Sequence, residues 1–149
     1  MAKLNKLVFP VIGILAFAVG GAAAKWVLVG MDKGEKAQVT QSVREMADQI
    51  NANSPQRIDD ITTMTRATAD GMNLVYDYVI AGARTDYPDS FGTEISASVS
   101  RAVCADAGMG KYINEGVVYT FRYNDSKGDG IVSFSVDAAT CESQTQAAP

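Results

Sequence analysis

Any reaction chemistry in this chain falls to carboxylates, hydroxyls or two cysteines, because its 149 residues include no histidine. Ser-His-Asp and Cys-His catalysis are thereby removed, together with the usual imidazole ligands of zinc and copper. The aspartates Asp59, Asp60, Asp86, Asp89, Asp125 and Asp129 all fall in segments that read as loops or turns. Glycoside hydrolysis needs two carboxyl groups at a fixed separation, and nothing in this spacing orients a pair. Loop aspartates ordinarily cap helices and shape turns. The run Asp125-Ser126-Lys127-Gly128-Asp129-Gly130 resembles the opening of a calcium loop. Lys127 occupies its third position, however, and Val136 stands where a bidentate glutamate belongs. We read the run as a glycine-rich turn and expect no catalytic residue, no metal site and no cofactor.

Cys104 and Cys141 are the only cysteines. Beyond a membrane, in an oxidising compartment, such a pair is expected as a disulfide rather than as two buried thiols. Pairing removes cysteine nucleophily and closes a long loop, worth roughly 4 kcal/mol on the chain-entropy view. The remaining chemistry is recognition. Tyr87, with Arg84 and Asp86 in the segment ARTDYPD, and Tyr112 in GKYINEG lie in apparent connections. Loop tyrosines are effective contact anchors, so these four residues are the partner-binding candidates. All seventeen acidic residues lie beyond position 31, against ten Lys or Arg, a net of -7. A surface of that sign repels a phosphate backbone, so nucleic acid is not an expected partner.

Residues 7–30, LVFPVIGILAFAVGGAAAKWVLVG, carry one charge, Lys25. As a helix they would extend about 36 Å, more than the roughly 30 Å hydrocarbon core of a bilayer. The basic start, residues 1–6, belongs on the cytoplasmic side under the positive-inside rule. Lys25 can snorkel and Trp26 suits the interface. The expectation is a retained signal-anchor in the inner membrane with the remainder in the periplasm or outside. The alternative is a signal peptide cleaved near Ala24 and a periplasmic protein. Ala16, Gly20 and Ala24 recur every four residues and offer a smooth strip for packing against another membrane helix.

The rest of the chain suffices for one domain, residues 31–141, followed by a tail, 142–149, that reads as unstructured. Val39, Val43, Met46, Ala47 and Ile50 form one helical face, and Asn53-Ser54-Pro55 ends that helix. Ile61–Ala69 and Met72–Ile80 flank Asp70-Gly71, the signal of a two-residue hairpin. With that turn at the centre, Ala67 faces Leu74, Thr65 faces Tyr76, and Arg66 faces Val75. Phe91, Ile95, Val99, Ala102 and Val103 stripe a second helix, which Gly108 and Gly110 are expected to end. Alternation from Val117 to Tyr123 and from Ile131 to Val136 predicts a second hairpin.

The predicted fold class is therefore α+β: a transmembrane helix, then a two-layer α-β-β-α-β-β domain. Its four-stranded antiparallel sheet carries two helices on one face. In organisation the chain resembles small bacterial envelope proteins with an amino-terminal anchor and an α+β domain. A type IV pilin also begins with a long apolar helix, but the glutamate near its start is missing here. The expected role is a membrane-anchored protein-interaction or assembly subunit of an envelope complex. Its partners would be other envelope or membrane subunits, further copies of the chain, and the bilayer through residues 7–30. A released periplasmic binding or inhibitor protein comes second, and a small carboxylate-dependent hydrolase third.

Overall fold

The computed structural model describes residues 34–147. The proposed anchor, with Ala16, Gly20 and Ala24, lies outside the described residues. Among those described, no helix is long and apolar enough to cross a membrane. The elements in order are α1 (Gly34–Ala52), β1 (Gln56–Arg57), β2 (Thr62–Asp70), β3 (Asn73–Ile80), α2 (Phe91–Ala105), α3 (Ala107–Asn114), β4 (Val118–Asp125), β5 (Gly130–Val136) and α4 (Ala138–Ala147). A single 3-10 turn, Arg84–Asp86, interrupts the connection from β3 to α2.

The sheet is five-stranded and mixed, in the order β1-β2-β3-β4-β5. This corrects the expected four-stranded antiparallel sheet in two respects. The short strand β1 adds to β2, pairing Gln56 with Met64 and Arg57 with Thr63. The central pair, β3 with β4, is parallel. A long connection containing α2 and α3 carries the chain back across the layer, so β4 restarts in the direction of β3. Tyr76 then lies beside Phe121, and Tyr78 beside Tyr123. Each hairpin remains antiparallel.

Among the described residues, helices cover one face of the sheet and leave the other open. Val43, Met46, Ala47 and Ile50 of α1 and Phe91, Ile95, Val99 and Val103 of α2 are buried, as the periodicity requires. They meet Leu74, Tyr76, Tyr78 and Ile80 of β3 and Tyr119, Phe121 and Tyr123 of β4 within one core. Fully burying a side chain of that size contributes roughly 1.5–3 kcal/mol. Rings stack across the parallel pair, with centroids 5.3 Å apart for Tyr76 and Phe121 and 4.6 Å for Tyr78 and Tyr123.

Four helices replace the expected two. Asp106, not the glycines, ends α2: its extended backbone breaks the helix, and its carboxylate accepts from the Met109 amide at 2.8 Å to start α3. Gly108 and Gly110 lie inside α3, and Met109, Tyr112 and Ile113 turn inward. Helix α4 runs through residues where an unstructured tail was expected. Asp137 begins it by accepting from the amide and hydroxyl of Thr140. The disulfide Cys104–Cys141 is formed, with Cα atoms 5.4 Å apart, and joins α2 to α4.

Candidate functional site

The helix-free face of the sheet holds a charged row that the strand registers assemble. Arg66 of β2 pairs with Asp77 of β3, Asp77 with Arg122 of β4, and Arg122 with Ser133 of β5. Arg122 forks onto Asp77, with Nε to Oδ1 at 2.7 Å and Nη2 to Oδ2 at 2.9 Å. These bonds raise the Arg122 pKa further, so its charge is permanent. Arg66 approaches Oδ2 from the other side at 3.5 Å, an ion pair looser than a hydrogen bond. The Asp77 side chain is 13% exposed, against 65% for Arg66 and 45% for Arg122. One sheltered carboxylate thus holds two outward guanidiniums, leaving one net positive charge on a domain that is otherwise strongly acidic.

Two backbone features shape β2 around the row. Register shifts between Met64 and Arg66, so Thr65 and Arg66 are both exposed while Met64 and Ala67 both face the core. The extra residue lets β2 keep its apolar side inward along its whole length. The hairpin turn contributes as well, because Asp70 pairs with Asn73 and the loop residues are Gly71 and Met72. Gly71 has φ 59 and, among the described residues, no non-glycine has positive φ, so Asp70-Gly71 is not the turn centre. The turn position alone moves Arg66 from Val75, its expected partner, to Asp77; the bulge, farther from the turn, changes only the pairing of Thr62 to Met64. Neither Arg66, Asp77 nor Arg122 was singled out by sequence reasoning for this reason. The available signal was their shared parity on the polar sides of three strands, which aligns them only once the turn is placed at Gly71-Met72.

Beside the charged row run hydroxyls and amides. Thr68, Val75, Thr120 and Ser135 form the next row, and the Thr120 hydroxyl lies 2.9 Å from Asn73 Oδ1 and 2.8 Å from Ser135 Oγ. On the other side, Thr65, Val79 and Asn124 join the arginines around a shallow hollow. The Thr65 hydroxyl donates to the Asp77 carbonyl at 3.1 Å.

The residues chosen from the sequence are dispersed. Arg84, Thr85 and Asp86 form an exposed turn, and Tyr87 is half-buried. Tyr87 donates its hydroxyl to the Ala81 carbonyl and stacks on Phe91, with ring centroids 4.5 Å apart. Asp86 accepts from the Ala83 amide at 2.8 Å. This loop is anchored from below by Asp125, which is buried and accepts amides from Arg84, Lys127 and Asp129 at 2.8, 2.8 and 2.9 Å. Those donors, Arg84 foremost, hold its pKa below the ordinary carboxylate value against the opposing effect of burial. Asp125 therefore serves as a loop anchor, with its oxygens occupied by amides rather than presented as in a calcium loop. Tyr112 is only 3% exposed and packs in the core, so it offers little contact surface. Among the described residues, no group of three or more potential ligand side chains is placed to hold a metal.

No family model and no curated protein matches the sequence. The fold, by contrast, is shared with solved structures. A pilotin from the type 2 secretion system of Vibrio vulnificus superposes with TM-score 0.65 at 17% identity, covering 74% of this chain and 97% of its own. A type II secretion pilotin from Vibrio cholerae gives 0.60 at 16%, covering 72% and 96%. A Pseudomonas aeruginosa protein provisionally assigned as secreted gives 0.64 at 15%, covering 75% and 99%. At these identities the likeness is one of fold.

Proposed function

We propose that this chain is an envelope assembly factor, a pilotin-like domain that binds a protein subunit outside the cytoplasm and is held at the membrane by residues 7–30. The observation that carries the reading is the likeness in fold to two secretion pilotins over at least 96% of their lengths. The formed disulfide fits an oxidising compartment. The helix-free sheet face supplies a surface for a partner, and the anchored 81–87 loop supplies a second, smaller one. The carboxylates give a hydrolase no comparable support: Asp77 is neutralised between arginines, and Asp125 is committed to backbone amides.

The test is gentle detergent extraction of the native, carboxy-terminally tagged chain from its own envelope, followed by native mass spectrometry. The expected result is a stoichiometric complex with another envelope protein that retains residues 1–30. A lone full-length monomer would contradict the assembly reading. A mature mass beginning at Lys25 would contradict the anchor and replace it with a signal peptide.

A further inference from the structure

We infer that the open sheet face binds an acidic segment of the partner protein, with a carboxylate received between the guanidiniums of Arg66 and Arg122. The inference rests on the assembly reading for its setting, while its chemistry comes from the charged row itself. Asp77 uses two nitrogens of Arg122 and only a loose edge of Arg66. The rest of each planar fork points to solvent, and such forks match a carboxylate in two-point geometry. A fixed acidic residue already between them sets their spacing, so an incoming carboxylate meets donors that have lost part of their rotamer freedom. Hydroxyls of Thr65, Thr120 and Ser133 flank the row and can take the polar edges of a segment laid across the strands.

Charge decides the class of occupant. A domain with a net charge of -7 beyond position 31 is repelled by an anionic bilayer or a nucleic acid. Holding either requires a cluster of several basic residues, whereas the Arg66–Asp77–Arg122 row carries a net charge of only +1 and exposed Asp70 shares its face. That suits one or two carboxylates presented by a protein.

The experiment measures fluorescence anisotropy of the full-length chain in detergent with a labelled peptide carrying two glutamates in an otherwise neutral sequence, the glutamate peptide, and its glutamine counterpart. The glutamate peptide is expected to bind in a salt-sensitive manner, and the glutamine peptide at least about tenfold more weakly. Arg66→Gln, which leaves the Asp77–Arg122 fork in place, should weaken binding several-fold, and Arg66→Gln with Arg122→Gln should abolish it. Arg44→Gln on the exposed side of α1 should change nothing. Melting curves establish that each variant is folded, and the single Arg66 substitution keeps the test decisive if the double variant is not. Equal binding of both peptides, or undiminished binding by the arginine variants, would overturn the inference. So would arginine-dependent binding to phosphatidylglycerol vesicles without binding to the peptide. If the envelope extraction yields a partner that the double variant retains in full, the acidic-segment inference fails while the assembly reading stands. Peptide binding by the arginines with no partner recovered would have the opposite meaning.

Discussion

Asp125 illustrates how much a single residue governs in this fold. Its carboxylate gathers three amides from two loops, so the 81–87 segment and the turn after β4 move as one unit. Its folded-state pKa lies below the ordinary value, near 3.9 in an unfolded chain. The stabilisation is therefore complete above that unfolded value and is lost as the pH falls through the folded one. In Asp125→Asn an amide group would face amide donors. We expect a lower melting temperature, a flatter acid limb in the stability profile, and faster trypsin cleavage after the exposed Arg84. Thermal melts across the acid range and timed proteolysis check this. A different residue-scale effect concerns the buried hydroxyls of Tyr76, Tyr78, Tyr119 and Tyr123, which have no hydrogen-bond partner among the described residues. Removing a buried hydroxyl that bonds to nothing relieves desolvation without breaking a contact. Tyr78→Phe should be neutral or stabilising by up to about 1 kcal/mol in urea unfolding, whereas loss of a hidden bond would destabilise.

At the scale of elements, the sheet edge next to α1 is closed by a side chain. Beyond the bulge, the outer edge of β2 has no strand beside it among the described residues, and Asn51 of α1 both donates to and accepts from the Ala67 backbone at 2.8 Å. It completes the ladder as a short strand would, protecting an edge that β1 is too short to cover. Asn51→Ala should cost about 1–3 kcal/mol and increase amide exchange at Ala67, measured by denaturant unfolding and hydrogen exchange. The disulfide ties α4, which buries no side chain of its own, to α2. Reduction should lower stability by about 2–4 kcal/mol and release α4 first. Much of this was legible in the sequence. The stripe from Val39 to Ile50, the alternation in each strand and the cysteine pair depend on local periodicity and compartment, and these specify α1, α2, four of the strands and the bond. The parallel centre was not legible, because strand direction follows from where a long connection travels rather than from either strand. The α2–α3 break was readable in principle from Asp106 followed by Met109, Tyr112 and Ile113, but the two nearby glycines gave a stronger stop signal. The charged row was hidden by one residue of turn position: with the turn centred on Asp70-Gly71 rather than Gly71-Met72, Arg66 falls opposite Val75.

For the molecule as a whole, the proposed assembly role rests on the asymmetry of the two sheet faces. One face is packed with aromatic side chains under helices, and the other bears two arginines on a buried-side aspartate amid hydroxyls. In a single small layer pair, an uncovered face is available to a second protein without any change in the core. The fold as a whole is shared with the two secretion pilotins. The most direct test is photo-crosslinking in the intact envelope from a reactive amino acid placed at exposed Ser133, at the end of the charged row, and separately at exposed Gln41 on the helical side. Our account predicts a discrete adduct with one envelope protein from position 133 and none from position 41. An adduct from position 41 alone, or identical patterns from both, would contradict the claim that the open sheet face is the docking surface.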